Sequence, residues 1–391
     1  MKRITLLYII FLLCTGCSSS EDASPEPVDP GAGKPFTIEL PAAAFTNLSK
    51  VGSGLASPDI MNQLIALVDA APANANIHLS IFIFNYQALT DALKRASDRG
   101  VKLHLMLDFS RDESLADNPA TISQLRGFLK PTSELVLITS DASGSSINHN
   151  KFVLFSEITT ATGKQQNVVF QTSHNFTLSD SKKIQDALIF PNAGLYGAYL
   201  SYWTDMKEKA GSGMKNFFYR EYHDEAAGIS ALFFPKRRNG TSYGADTAIE
   251  ILEGLTEPAT ATVRVSMSDW TATRLNVVDK LIQLREQGAT IEVIAKDKVD
   301  PEILTGLQRL KSKGALVKIY SMAQTNNHSK FMLITGQWKG AQVNLLVTGS
   351  HNFTVNALRN NNEAMILLKN HPTLFNTYLN YYSDMKKIPS S

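Results

Sequence analysis

Two short runs in this chain set an imidazole and an ammonium two residues apart: Asn148-His149-Asn150-Lys151-Phe152-Val153-Leu154 and Asn327-His328-Ser329-Lys330-Phe331-Met332-Leu333. Each is followed by a block with a hydroxyl and a carboxamide at the same interval, Thr172-Ser173-His174-Asn175-Phe176-Thr177 and Gly349-Ser350-His351-Asn352-Phe353-Thr354. Side chains at i and i+2 of a strand project to one face. The apolar residues beside each His-x-Lys therefore predict that His149 and Lys151 point together, with Ser173 and Asn175 doing the same from a second strand. Two such halves face to face supply two lysines and two asparagines for phosphate oxygens, and two histidines to divide nucleophile and acid roles.

The halves are copies: His149 to His328 and Lys151 to Lys330 span the same 179 residues. An internal duplication of this length predicts two like domains. The elements that must position the histidines repeat accordingly. In the first half Ser57-Pro58 caps a helix with Ile60, Leu64, Leu67, Val68 and Ala71 on one face. A strand over His78–Phe84, a helix with Leu89, Ala92, Leu93 and Ala96 ending at Gly100, and a strand over Val101–Leu107 follow, which is a βαβ pattern. The second half predicts helix over Thr247–Leu255, strand over Thr262–Met267, helix over Leu275–Gln287 stopped by Gly288, and strand over Thr290–Ala295. Both halves close on similar runs, Tyr199-Leu200-Ser201-Tyr202-Trp203-Thr204-Asp205-Met206-Lys207 and Tyr378-Leu379-Asn380-Tyr381-Tyr382-Ser383-Asp384-Met385-Lys386. These predict amphipathic helices whose aromatic face serves the core.

The paired His-x-Lys and Ser-x-Asn blocks resemble the phospholipase D superfamily. The resemblance runs from about Phe36 to Lys387. It implies an α/β fold of two sandwich domains, each a mixed β-sheet flanked by helices, related by a pseudo-twofold duplication. It also implies that His149, Lys151, His328 and Lys330 are catalytic, that Ser173, Asn175, Ser350 and Asn352 bind or support the phosphate, and that Asp186 and Glu363 orient the histidines. The departures are Ser156 and Thr335, where the family places an aspartate beyond each lysine, and Gln171-Thr172 in place of a glycine before Ser173. The tyrosyl-DNA phosphodiesterase branch also lacks that aspartate.

The start of the chain reads as a targeting segment. Lys2 and Arg3 precede an apolar run, Ile4 to Leu13, too short for a permanent bilayer span. Leu13-Cys14-Thr15-Gly16-Cys17 resembles a bacterial lipobox, which would make Cys17 a lipidated N-terminus; the alternative is an ordinary cleaved signal peptide. A Ser-, Pro- and Gly-containing stretch to Lys34 cannot pack a core and reads as a tether. The expected organisation is a signal peptide at 1–16, a tether at 17–34 and domains at 35–222 and 223–391, with Gly211-Ser212-Gly213 breaking the first closing helix. The expected location is the bacterial cell envelope, lipid-anchored.

Both cysteines of the chain, Cys14 and Cys17, lie in the targeting segment, so a core disulfide and a cysteine metal site are excluded. The whole chain has 38 basic and 36 acidic residues; without Lys2 and Arg3 the two balance. That balance disfavours a dedicated duplex DNA binder. Lys236-Arg237-Arg238 is the exception, expected to be a solvated turn. Of eight histidines, His78 and His104 read as core or surface groups, His223 and His371 as loop residues, and His174 and His351 as structural. Neither a metal nor another cofactor is expected, because a lysine beside each histidine repels a cation. The expected activity is hydrolysis of a phosphodiester, with phospholipid the first substrate and a membrane the partner through the anchor. A nuclease and a catalytically inactive envelope binding protein are the alternatives. A monomer with both half-sites in one chain suffices.

Overall fold

In the computed structural model the described residues are 33–139, 146–210, 219–238 and 240–389. The expected signal peptide, Cys17 and Gly211-Ser212-Gly213 lie outside them. The first repeat contributes β1 (Ala42–Phe45), α1 (Leu48–Gly52), α2 (Asp59–Ala70), β2 (Asn76–Ile81), α3 (Gln87–Asp98), β3 (Lys102–Asp108), α4 (Asp112–Phe128), β4 (Glu134–Ile138), β5 (Lys151–Thr160), β6 (Gly163–Thr172), β7 (Asp186–Pro191) and α5 (Ala193–Lys209). Its sheet has the order β1-β7-β6-β5-β2-β3-β4. β2, β3 and β4 are parallel, as a βαβ pattern requires, and the other pairings are antiparallel.

The second repeat contributes β8 (Arg220–Asp224), β9 (Ile229–Phe234), β10 (Arg237–Arg238), β11 (Thr241–Ser242), α6 (Thr247–Glu253), β12 (Thr262–Met267), α7 (Leu275–Glu286), β13 (Thr290–Lys296), α8 (Pro301–Ser312), β14 (Leu316–Tyr320), β15 (Lys330–Trp338), β16 (Ala341–Gly349), α9 (Val355–Arg359), β17 (Glu363–Lys369) and α10 (Pro372–Met385). Its sheet, β14-β13-β12-β15-β16-β17-β9-β8, repeats the first with β9 and β8 at the edge that β1 takes there. Since β8 pairs with β9, the boundary expected between 222 and 223 falls inside a strand of the second sheet, and His223 lies on that strand rather than in a loop.

The glycine stop signals act as predicted, whereas Ser57 does not cap α2. Gly100 (φ +92°) and Gly288 (φ +99°) take the left-handed backbone just past α3 and α7, which glycine adopts without a Cβ clash. Ser57 stands one residue before the cap position of α2, where its hydroxyl bonds the Asp59 carboxylate.

β5 is buried on both faces, which is why its sequence is continuously apolar after Lys151. Phe152 and Leu154 share a core with Phe331 and Leu333 of the other repeat, whereas Val153 and Phe155 face α2 and α3. The shared core also holds α5 and α10, which form a layer between the two sheets. Their tyrosines and Trp203 are buried there, and tyrosines bridge the repeats: Tyr202 Oη donates to Phe234 O (3.0 Å) and Phe45 stacks on Tyr381 at 4.1 Å. The aromatics are core, as expected.

Candidate active site

The segment entering each His-x-Lys strand is hydrogen-bonded to the opposite repeat. His149 N donates to Asn362 O and Asn362 N to Ile147 O, both at 2.9 Å. Across the seam, His328 N donates to Ile184 O (2.9 Å) and Ile184 N to Asn326 O (2.8 Å). These backbone bridges align the start of β5 with the start of β17, and the start of β15 with the start of β7. Each histidine is thereby carried to the orienting residues of the other half.

The two contacts differ. His149 Nδ1 lies 2.9 Å from both carboxylate oxygens of Glu363. His328 Nδ1 lies 3.0 Å from Gln185 Oε1. The role expected for Asp186 is therefore corrected: its Oδ2 accepts from Thr348 Oγ1 (2.6 Å) and Tyr378 Oη (3.1 Å), latching β7 to the second repeat. Aspartate is one methylene shorter than glutamate, and the residue before it supplies the longer side chain that reaches the ring. Gln185 was legible only as the neighbour of Asp186.

The lysines keep the expected parity with the histidines: Lys151 Nζ donates to His149 O (2.8 Å) and Lys330 Nζ to His328 O (2.7 Å). Ser173-x-Asn175 and Ser350-x-Asn352, in contrast, lie in loops past the ends of β6 and β16. Ser173 Oγ donates to Gln185 Oε1 (2.8 Å) and accepts from Asp186 N (3.0 Å), and Ser350 Oγ accepts from Ala364 N (3.1 Å). The serines thus brace the orienting residues. Asn175 N is held by Asp180 Oδ2 (2.8 Å), and Asn352 Oδ1 accepts from Asp269 N (3.3 Å).

The wall beside His149 is apolar: the Phe82 ring lies 5.4 Å from the imidazole and 5.6 Å from Lys151 Nζ. The matching wall of the second half is charged, with Lys296 Nζ 2.7 Å from Asp269 Oδ1. No sequence pattern singled out Phe82, Asp269 or Lys296. Ser156 and Thr335 sit about 17 Å along their strands from the lysines, at five residues of about 3.4 Å each. There they bond Asn76 N (2.8 Å) and Asn344 Oδ1 (3.1 Å).

Burial dominates the electrostatics. It drives both imidazoles well below their usual pKa of 6.5, with Lys151 and Lys330 adding to the effect on each. Burial lowers the Lys151 ammonium to about 8 and, helped by repulsion from Lys151, that of Lys330 to about 7. It raises the Glu363 carboxyl to about 8. Every one of these shifts disfavours the charged form, and an entering phosphate anion reverses those of the lysines and imidazoles.

The remaining histidines take other parts. His174 bonds Asn175 O and Ser181 Oγ, and His351 packs on Phe234 at 4.4 Å. His78 stacks on His104 at 4.2 Å. Among the described residues no group of three or more His, Cys, Asp or Glu is arranged to hold a metal, and no helix is long and apolar enough to cross a membrane.

Replacing Glu363 with Gln leaves the His149 ring in place but removes the ionisable carboxyl behind it. We expect kcat to fall about 10- to 100-fold with little change in KM, by analogy with the carboxylates that orient metal-ligating histidines. Steady-state kinetics on a soluble phosphodiester checks this, and an unchanged kcat would deny Glu363 any part in activating His149.

The family model described as "Cardiolipin synthase, PLD-like domain" matches the chain twice, over residues 64–193 and 255–386. No curated protein matches its sequence. Among solved structures, the phosphatidylserine synthase of Haemophilus influenzae Rd KW20 is similar with a TM-score of 0.61 at 12% identity, over 87% of each chain. The polyphosphate kinase of Porphyromonas gingivalis is similar at 0.52 and 13% identity, covering 83% of this chain and 47% of that one, so this chain spans about half its length.

Proposed function

We propose that this chain, which belongs to the phospholipase D superfamily by both of its matched domains, hydrolyses phospholipid phosphodiesters through a phosphohistidine. The observation that carries the reading is the unequal backing of the two rings, an ionisable carboxyl for His149 and an amide for His328. A carboxyl oxygen at Nδ1 accepts a hydrogen bond from the proton held there and frees Nε2 as a nucleophile; the carboxyl, kept neutral by burial in the free site, ionises to stabilise the charge the ring gains on attack. An amide orients its ring without fixing a charge, which suits a group that must give up a proton.

In the first step His149 Nε2 forms a bond to phosphorus as the bond to the leaving alcohol breaks, and His328 donates a proton to that oxygen. In the second, His328 takes a proton from water, the hydroxide displaces His149, and the phosphate monoester leaves. Lys151, Lys330, Asn175 and Asn352 stabilise the equatorial oxygens. One chain supplies every one of these groups.

Phospholipid is favoured over nucleic acid by the balanced charge of the chain without its first residues, by the apolar wall at Phe82 and by the lipobox-like Cys17. The family description and the phosphatidylserine synthase likeness agree with it. The test is thin-layer chromatography of phosphatidylcholine and phosphatidylglycerol products beside a gel of single-stranded DNA, for the wild type and His149→Ala. Phosphatidic acid formed by the wild type alone is the expected result. DNA cleavage without lipid turnover would make the protein a nuclease, and no turnover of either would make it a binding protein.

A further inference from the structure

The two Ser-x-Asn loops each lead, three residues past the asparagine, to an exposed aliphatic side chain: Leu178 is 59% exposed and Val355 is 40% exposed. Single exposed leucines are ordinary on protein surfaces. Here the duplication has kept an exposed aliphatic at matching positions on both sides of the seam.

Two further segments leave the sheets at this same end. β1 pairs through Phe45 with Asp186 and runs into α1 and the loop bearing Leu55, which is 60% exposed. That loop is tied to the residues after Leu178 by Ser57 N donating to Ser181 O (2.8 Å). Exposed Lys50 and Lys182 belong to these segments. On the other side, Phe234 pairs with Glu363 and leads into Lys236-Arg237-Arg238, and Lys236 N donates to Leu358 O of α9 (2.8 Å). The triplet is not the solvated turn expected from its charges. Lys236 is buried against Glu250 (2.6 Å), and Arg238 lies exposed two residues on, over the Tyr243 ring at 4.7 Å.

We propose that this end of the molecule docks on an anionic phospholipid bilayer. Leu55, Leu178 and Val355 enter the acyl boundary, and Lys50, Lys182 and Arg238 meet lipid phosphates, so that phosphodiesters reach the seam directly from the surface. Aliphatic side chains ringed by basic ones are the pattern by which a surface lies in the headgroup region. The proposal rests on the phospholipid reading above. It is compatible with an anchor at Cys17: the chain enters the described fold beside Thr160, at the far end of β5 from Lys151. The residues from Cys17 to Gly33 reach roughly 55 Å when extended, more than the about 34 Å of ten strand residues.

The test uses the full chain carrying Cys17→Ser, so that no acyl anchor contributes. It is assayed by cosedimentation with phosphatidylcholine vesicles with and without phosphatidylglycerol, and by turnover of bis(p-nitrophenyl) phosphate. We expect binding to the anionic vesicles that falls about tenfold or more in L178D/V355D, since each change removes an aliphatic that the bilayer would bury and adds a repelled charge. Turnover of the soluble ester should stay within about twofold, because neither side chain touches the reacting groups. K182E/R238E should weaken binding at low salt only. Vesicle binding equal to the parent in both variants would overturn the docking surface while leaving the catalytic reading intact, as would failure of the parent to bind. DNA cleavage without lipid turnover overturns the catalytic reading instead, and vesicle binding then judges the docking surface by itself.

Discussion

His149→Ala should lose turnover of every phosphodiester by about 10⁴-fold or more, the scale on which removing an activated nucleophile acts, whereas His328→Ala should stop part-way. Behind the two rings stand different groups, Glu363 for one and Gln185 for the other. If that difference divides the roles, a substrate whose leaving group needs no proton still phosphorylates His149 in the His328→Ala chain. The bond then persists, because no base activates water. Rapid quenching with labelled p-nitrophenyl ester should therefore trap about one acid-labile label per chain in His328→Ala and none in His149→Ala. For natural alcohols His328→Ala should itself lose about 10²- to 10⁴-fold, the range for a general acid. Label accumulating on His328 in the His149→Ala chain would reverse the assignment.

The second large effect is on pH. Lys330 and Lys151 are held at about 7 and about 8 by burial, far below the ordinary 10.5. A lysine with a lowered pKa carries its charge below that value and loses it above. Anion capture by the free site therefore declines as pH rises through about 7 to 8. A bound phosphate draws protons back onto both ammoniums and onto His328, so kcat should hold to higher pH than kcat/KM. The two lysines titrate as a coupled pair, so the limb belongs to both. Lys151→Met should cost about 10²- to 10³-fold in kcat/KM, as for loss of one donor at a developing charge. It should also move the remaining limb upward, because Lys151 is one of the groups that depress Lys330. Phosphate-analogue calorimetry in buffers of different ionisation enthalpy reads the same event as net proton uptake at pH 8. A kcat/KM profile flat to pH 9 would sink this account.

The sequence carries the duplication, the strand on which each lysine sits and the shared face of His and Lys, because these follow from local periodicity and from repetition along the chain. It likewise carries the helices of both βαβ units, whose apolar faces and terminal glycines are read a few residues at a time. What passes between the repeats was decided only by the tertiary structure. The bridges from Asn148 to Asn362 and from Ile184 to Asn327 join residues far apart in the chain, and they hand Glu363 to His149 and Gln185 to His328. Asp186 aligns with Glu363 in the duplication, yet its shorter side chain turns to Thr348 and Tyr378. A difference of one methylene has no local signature, and its consequence exists only where two surfaces meet. The symmetry of the site was written along the chain; the unequal backing of its two histidines arises at the seam.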